Sequence, residues 1–217
     1  MKTNEVVFIL DKSGSMSDLV SDTIGGFNSI LDEQKEKNDG EVLVSTVLFN
    51  ENRKVLHDRV KIAEVPKMTR KDYRPDGSTA LIDAIGYSIK HIKDVHKYIR
   101  EEDIPEHTLF VIITDGLENS SRVFSSKDVK KMIKEQEEKA NWEFLFIGAN
   151  IDAVETASNY GICEDYAFNY LADRIGTKKV FGAISKKMSA TRKAMKCCKA
   201  SNSCMGEITK DYNARRK

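Results

Sequence analysis

The sequence has few cysteines, few prolines and no long hydrophobic run. Only 4 of its 217 residues are cysteine and 3 are proline, and no Cys-x-x-Cys pair occurs. Neither a disulfide framework nor a paired zinc site is therefore indicated. We expect the thiols to be reduced, and the pattern assigns no role to Cys163, Cys197, Cys198 and Cys204.

The apolar runs are all too short to cross a bilayer. The run at Leu109–Ile113 is far shorter than the roughly 20 residues that a membrane helix needs. The run at Val6–Leu10 is too short for a signal peptide and is followed too closely by Asp11. We therefore expect a cytoplasmic protein that has no membrane segment.

Charge is balanced overall but unevenly distributed. The net charge is +1, yet residues 173–217 contain 13 basic and 3 acidic side chains, so the rest of the chain is acidic. Only two aromatic residues, Phe181 and Tyr212, lie in this basic segment, and nucleic-acid binding is therefore not indicated. We predict one domain over residues 1–200, followed by a basic C-terminal tail over residues 201–217.

Short apolar runs alternate with segments of helical periodicity. Strands are predicted at Val6–Leu10, Val42–Phe49, Val55–Val60, Leu109–Ile113, Phe144–Ile147 and Tyr166–Phe168. Alternation of this kind is typical of an α/β doubly wound fold, with a mostly parallel central sheet and helices on both faces. The short polar link between the second and third runs predicts one antiparallel edge strand.

The last predicted helix has an apolar stripe and many lysines. The stripe runs through Val180, Ile184, Met188, Thr191 and Met195. We expect it to pack on the sheet, with a binding surface for a partner or nucleic acid as the alternative for the basic face. The side chains expected in solvent are Lys186, Lys187, Lys193 and Lys196.

Oxygen-bearing side chains follow two predicted strands and precede the longest helix. Asp11, Ser13 and Ser15 follow the first strand, Asp115 follows the strand at Leu109–Ile113, and Thr79 precedes the helix. Ligands of such sheets gather at the carboxyl ends of the strands. Two carboxylates and three hydroxyls, without histidine or thiol, suit a hard cation. They favour Mg²⁺, with Ca²⁺ as second choice.

This pattern resembles the metal-ion-dependent adhesion site of von Willebrand factor type A domains. Asp11-x-Ser13-x-Ser15, Thr79 and Asp115 fill all five positions of that pattern. The resemblance covers roughly residues 4–200, includes the family's intracellular bacterial members, and implies a Rossmann-like fold. Taken singly, each of the five residues could instead be an ordinary helix cap or turn residue.

The resemblance also implies how such a site works. Ser13, Ser15 and Thr79 would ligate the cation directly or through water, while Asp11 and Asp115 would act mainly through water and hydrogen bonds. Because little negative charge touches the cation directly, it stays electrophilic and can accept a carboxylate from a protein partner.

We therefore expect a non-enzymatic adaptor that binds an acidic residue of a protein partner through Mg²⁺, with Mn²⁺ or Ca²⁺ as alternatives. The resemblance implies a bacterial or phage-infected cell as its setting. Four polar residues follow the strand ends on the same rim and are predicted to shape partner choice, the alternative being ordinary loop polarity. These are Glu118, Asn119, Asn150 and Asp152.

A metal-dependent enzyme that processes phosphoesters is the alternative function. An aspartyl phosphotransferase would need a second carboxylate two residues after Asp11, where the chain has Ser13. The phosphate-binding loop Gly-x-x-x-x-Gly-Lys-Ser/Thr, the dinucleotide motif Gly-x-Gly-x-x-Gly and the hydrolase motif Gly-x-Ser-x-Gly are absent. Because the hydroxyl-rich set also lacks a general base, we expect no enzymatic activity.

Overall fold

A six-stranded sheet forms the centre of the protein. The structure, a computed structural model, describes residues 3–37, 39–193 and 203–216. The strand order is β3-β2-β1-β4-β5-β6, and only the β2–β3 pair is antiparallel. The strands are β1 (Thr3–Asp11), β2 (Glu41–Phe49), β3 (Arg53–Lys61), β4 (His107–Thr114), β5 (Trp142–Ala149) and β6 (Ala167–Tyr170).

Helices cover both faces of this sheet. They are α1 (Val20–Lys35), α2 (Leu81–Tyr98), α3 (Ser126–Lys139), α4 (Ala153–Asn159), α5 (Arg174–Lys193) and α6 (Gly206–Arg215). Alternate residues of β1 point to opposite faces, as the period of a strand requires. Phe8 packs with α1, α5 and α6 in one core, and Ile9 packs with α2, α3 and α4 in the other. The predicted doubly wound fold is confirmed.

The edge strands and helix ends differ slightly from the predictions. The sixth strand was expected at Tyr166–Phe168 but begins at Ala167, because Tyr166 belongs to a short 3-10 turn. Helix α2 ends at Tyr98, and Ile99, which fits the helical spacing, already has extended backbone angles. No helix within the described residues has the length and apolar character needed to span a bilayer.

The prediction that Lys187 extends into solvent is wrong. Lys187 is 1% exposed and its ammonium group forms an ion pair with Glu143 on β5. The Glu143 carboxylate also lies 3.2 Å from His107 Nε2. Lys187 is therefore held inside by a carboxylate distant in sequence, whereas Lys186 is exposed and pairs with Glu207. Met195, Lys196 and the side chain of Lys193 lie outside the described residues.

The C-terminal segment differs from the predicted basic tail. Residues 203–216 contain α6, and Met205 and Ile208 are buried in the same core as α5 and β6. Arg215 forms an ion pair with Asp211 within this helix and another with Asp173, which joins the end of the helix to the start of α5. The reason for the difference is that the segment carries two apolar side chains that pack in the core, and that α6 itself has two basic and two acidic side chains. Cys197, Cys198 and the predicted boundary at residue 200 lie outside the described residues.

Candidate metal site

Three chain segments meet at the carboxyl ends of β1 and β4. These strands are parallel neighbours, with Leu10 paired to Ile113, so that Asp11 and Asp115 follow from adjacent strands. The loop before α2 reaches the same edge, where the Gly14 amide donates to the Gly77 carbonyl over 3.1 Å. Gly77 has a φ of +68°, a conformation that glycine adopts without strain. The topology therefore brings together the three segments that carry the predicted site.

The three predicted hydroxyl ligands surround one point in front of Gly116. Ser13 Oγ and Ser15 Oγ lie 3.1 Å apart. A methyl group placed on the Gly116 Cα would lie 3.2 Å from Thr79 Oγ1, 3.5 Å from Ser15 Oγ and 3.9 Å from Ser13 Oγ. The hydroxyl of Ser15 also donates a short hydrogen bond to Asp115. Four of the five predicted residues thus lie around a single point.

The two predicted carboxylates are buried beside the hydroxyls, and of the two only Asp115 lines the cleft in front of them. Asp11 is fully buried and accepts hydrogen bonds from the Ser13 amide at 2.7 Å and the Thr114 hydroxyl at 2.6 Å. Burial raises the pKa of Asp11, and these hydrogen bonds oppose the rise. Burial likewise raises the pKa of Asp115; the Ser15 hydroxyl opposes this rise, and the nearby charge of Asp11 adds to it.

Among the residues that the structure describes, neither carboxylate has a cationic partner. The ion pairs formed by the described residues include neither Asp11 nor Asp115, and the nearest lysine in sequence, Lys12, points to Asp76 at 3.2 Å. Uncompensated negative charge at a buried position is costly. A bound cation would remove this cost.

The donor set fits a small hard cation. Two oxygens at adjacent corners of a magnesium octahedron are about 3.0 Å apart, since the Mg–O bond is about 2.1 Å. The separation of 3.1 Å between Ser13 Oγ and Ser15 Oγ matches this edge. Among the described residues, no group of three or more His, Cys, Asp or Glu side chains could hold a metal ion. Any metal at this site must therefore use hydroxyl ligands.

A buried tyrosine supports the loop after β1. Tyr73 is 1% exposed, and its hydroxyl donates a short hydrogen bond to the carbonyl oxygen of Asp11. Burial holds the pKa of Tyr73 well above its usual value, and the charge of Asp11 adds to the rise. The sequence pattern does not single out this residue. The only local signal is an aromatic side chain between Asp72 and Arg74 in a polar loop.

Two of the four predicted rim residues line the cleft in front of the hydroxyls. This cleft has a volume of about 370 Å³, and Asn119 and Asn150 belong to its lining. The side-chain oxygen of Asn119 accepts a hydrogen bond from the Thr79 amide at 2.8 Å, which holds the backbone of that predicted ligand. Asn150 is exposed and has a φ of +56°. Their role in partner choice stays a prediction.

The other two predicted rim residues do not line the cleft. Glu118 accepts hydrogen bonds from the amides of Ile82, Ser120 and Ser121 at 2.7–2.9 Å. Asp152 caps α4 by accepting from the first amides of that helix at 3.0 and 3.1 Å. Both carboxylates therefore accept hydrogen bonds from nearby main-chain amides and do not face the cleft.

Comparisons with known proteins identify the fold. No family model and no curated protein matches the sequence. Solved structures that match include the proximal thread matrix protein 1 of the mussel byssus (16% identity, TM-score 0.55) and a von Willebrand factor type A protein from Catenulispora acidiphila (15%, 0.56). The PilB minor pilin from Streptococcus sanguinis also matches (12%, 0.60). The protein therefore has a von Willebrand factor type A fold.

The coverage of these matches is uneven. They cover 85%, 86% and 88% of this chain, whereas the chain spans 45%, 42% and 62% of the mussel, Catenulispora and Streptococcus proteins. It therefore corresponds to about half the length of the structures that it resembles. One structure of the mussel protein (15% identity, TM-score 0.56) has a zinc-occupied metal-ion-dependent adhesion site.

Proposed function

We propose that this protein is a non-enzymatic adaptor that binds an acidic residue of a protein partner through Mg²⁺ at a metal-ion-dependent adhesion site. The convergence of three hydroxyls in front of Gly116 carries this proposal. The zinc-occupied site of the mussel protein supports a divalent cation in this fold. The proposed setting is the cytoplasm of a bacterial or phage-infected cell.

The residues of the chain divide into ligands and supports. Ser13, Ser15 and Thr79 would hold the cation, which when bound supplies an electrophilic centre for a carboxylate. Asp115 accepts the hydrogen bond that the Ser15 hydroxyl donates, so that the lone pairs of this oxygen face either the Ser13 hydroxyl, 3.1 Å away, or a bound cation. Asp11 fixes the turn after β1 by holding the Ser13 amide.

Access to the site favours a partner side chain over an enclosed substrate. Ser15 is exposed and the cleft is shallow, so that a protruding aspartate or glutamate could reach the ligands. Asp11 is buried away from the cleft, and Asp115 is hydrogen-bonded to Ser15, which would leave a bound cation only partly neutralised. A cation in this state gains more from an incoming carboxylate than a fully neutralised one would.

The lining of the cleft supports a binding function over phosphoester chemistry. Among its described residues, Asp115 is the single side chain that could act as a general base, and it already accepts the Ser15 hydroxyl. General acid–base catalysis needs a group free to exchange a proton with the substrate. This composition favours the adaptor.

Calorimetric titration of Mg²⁺, Mn²⁺ and Ca²⁺ tests the metal site. We expect binding to the wild-type protein, loss of binding in Thr79→Ala, and retention in Thr79→Ser, which keeps the oxygen. Equal metal binding by Thr79→Ala and the wild type would contradict the proposed ligand set.

Affinity capture from native lysate, with Mg²⁺ or with EDTA, tests the adaptor function. Partners should be retained with Mg²⁺ by the wild type and Thr79→Ser, and lost with EDTA or in Thr79→Ala. A set of captured proteins unchanged by EDTA would count against metal-mediated recognition. Metal-dependent hydrolysis of a phosphoester substrate, abolished in Thr79→Ala, would establish the enzyme instead.

A further inference from the structure

A second, larger cleft adjoins the metal site. It has a volume of about 740 Å³ and lies between the β2–β3 turn, the first turns of α2 and the loop that follows Asp115. Ser78 lines both this cleft and the one in front of the hydroxyls. A segment bound at the metal site can therefore continue into the second cleft.

Two exposed arginines line the second cleft, which we call the arginine cleft. Arg53, at the start of β3, stacks on the ring of Tyr87 with its guanidinium carbon 3.9 Å from the ring centre. Arg122 lies on the loop across the cleft. Among the described residues, neither Arg53 nor Arg122 forms an ion pair with a carboxylate, whereas several other arginine residues do.

The carboxylates of the arginine cleft are hydrogen-bonded to other groups. Glu51 accepts from the amide of Ser78 at 2.8 Å and from its hydroxyl at 3.3 Å. Asp83 accepts from the amides of Arg122 and Phe124, each at 2.8 Å. Both guanidinium groups therefore remain available to an external anion, and their paired N–H donors match the geometry of a carboxylate.

We propose that the arginine cleft binds further acidic residues of the same partner segment whose carboxylate reaches the metal. This inference rests on the proposed function, because the metal site defines where the segment begins. A peptide fits better than a nucleic acid, because Arg53 already occupies one face of Tyr87, the half-buried aromatic ring of the cleft, and Phe124 packs against the same ring at 89°.

Two fluorescein-labelled peptides test this assignment by fluorescence anisotropy. The single-acid peptide has one central aspartate among glycine and serine, and the multi-acid peptide has the same aspartate flanked by two glutamates on each side. In Mg²⁺ we expect the multi-acid peptide to bind the wild type about three- to ten-fold more tightly, since exposed ion pairs each contribute modestly. The double variant Arg53→Gln/Arg122→Gln should lose this advantage while it binds the single-acid peptide unchanged.

A second double variant, Arg174→Gln/Lys178→Gln, is the matched control. It removes the same charge from a cleft between α1 and α5 on another part of the surface, and it should keep the advantage. An advantage that survives in Arg53→Gln/Arg122→Gln, or that is lost equally in the control, would overturn the arginine cleft. Two other results would also overturn the proposal. One is arginine-dependent binding of oligothymidylate in preference to the multi-acid peptide, and the other is equal binding of the two peptides by the wild type.

Measurements in EDTA and with Thr79→Ala separate this inference from the proposed function. Both conditions should abolish binding of the single-acid peptide but leave weak binding of the multi-acid peptide that depends on Arg53 and Arg122. Single-acid binding that is insensitive to both conditions would contradict the proposed function alone. Loss of the arginine dependence with metal dependence intact would contradict the arginine cleft alone.

Discussion

Replacing Gly116 by alanine should close the metal site without unfolding the protein. The added methyl group would lie within 4 Å of the oxygens of Thr79, Ser15 and Ser13. A cation that approaches these oxygens to about 2.1 Å would meet a carbon atom that cannot coordinate it. Gly116 is not among the glycines with positive φ, so its backbone accepts an alanine.

The size of the effect follows from linkage between binding and folding. A metal present at a hundred times its dissociation constant stabilises the folded state by about 2.7 kcal/mol. A domain of this size gains about 2–4 °C in melting temperature per kcal/mol. Saturating metal should therefore raise the melting temperature of the wild type by about 5–11 °C, and that of Gly116→Ala by close to zero.

Thermal unfolding with and without Mg²⁺ measures both quantities in one experiment. Gly25→Ala is the matched control, because a methyl group there meets no atom within 4 Å. Its metal-induced shift should equal that of the wild type. If Gly116→Ala shows the full shift, the cation does not bind between the three hydroxyls and the reasoning from this geometry fails.

Two further predictions concern buried polar groups. Lys187→Met leaves the Glu143 carboxylate buried without its ammonium partner and should lower the free energy of unfolding by about 3 kcal/mol in urea. Lys186→Met removes the adjacent surface ion pair and should change the free energy of unfolding by less than about 1 kcal/mol. Equal losses of stability in the two variants would contradict the assigned burial of Lys187. Tyr73→Phe removes the hydrogen-bond donor to the buried Asp11 carbonyl. We expect it to lower the free energy of unfolding by about 1–3 kcal/mol and to weaken Mg²⁺ binding in calorimetry. Wild-type values for both would refute the supporting role of Tyr73.

Much of the fold could be predicted from the sequence because its signals are local. The run at Val6–Leu10 is apolar at every position, as a strand covered on both faces must be. The position of Asp11 at the end of that strand follows directly, and so does its approach to Asp115 once the strands are taken as parallel neighbours. Thr79 could be predicted because the resemblance supplied the third segment.

The features that could not be predicted depend on contacts between distant residues. Lys187 has the sequence surroundings of a solvent lysine, and only the placement of Glu143 on β5 makes it a buried one. The docking of α6 depends on two apolar side chains in a basic segment, which give a weak pattern. Glu118 is predicted at the rim from its position after Asp115. Its actual role, as an acceptor for the Ile82 amide, could be predicted only if the start of α2 beside it were known.

The acceptors around the start of α2 set the cost of occupying the site. Glu118 and Asp83 join this helix to the loop after Asp115, and Asn119 holds the Thr79 amide. The loop before α2 and the loop after Asp115 are therefore ordered when the protein folds, so that binding does not carry the entropic cost of ordering them. On the proposed function, we expect association by capture onto an already ordered site, with a rate set by diffusion and water exchange.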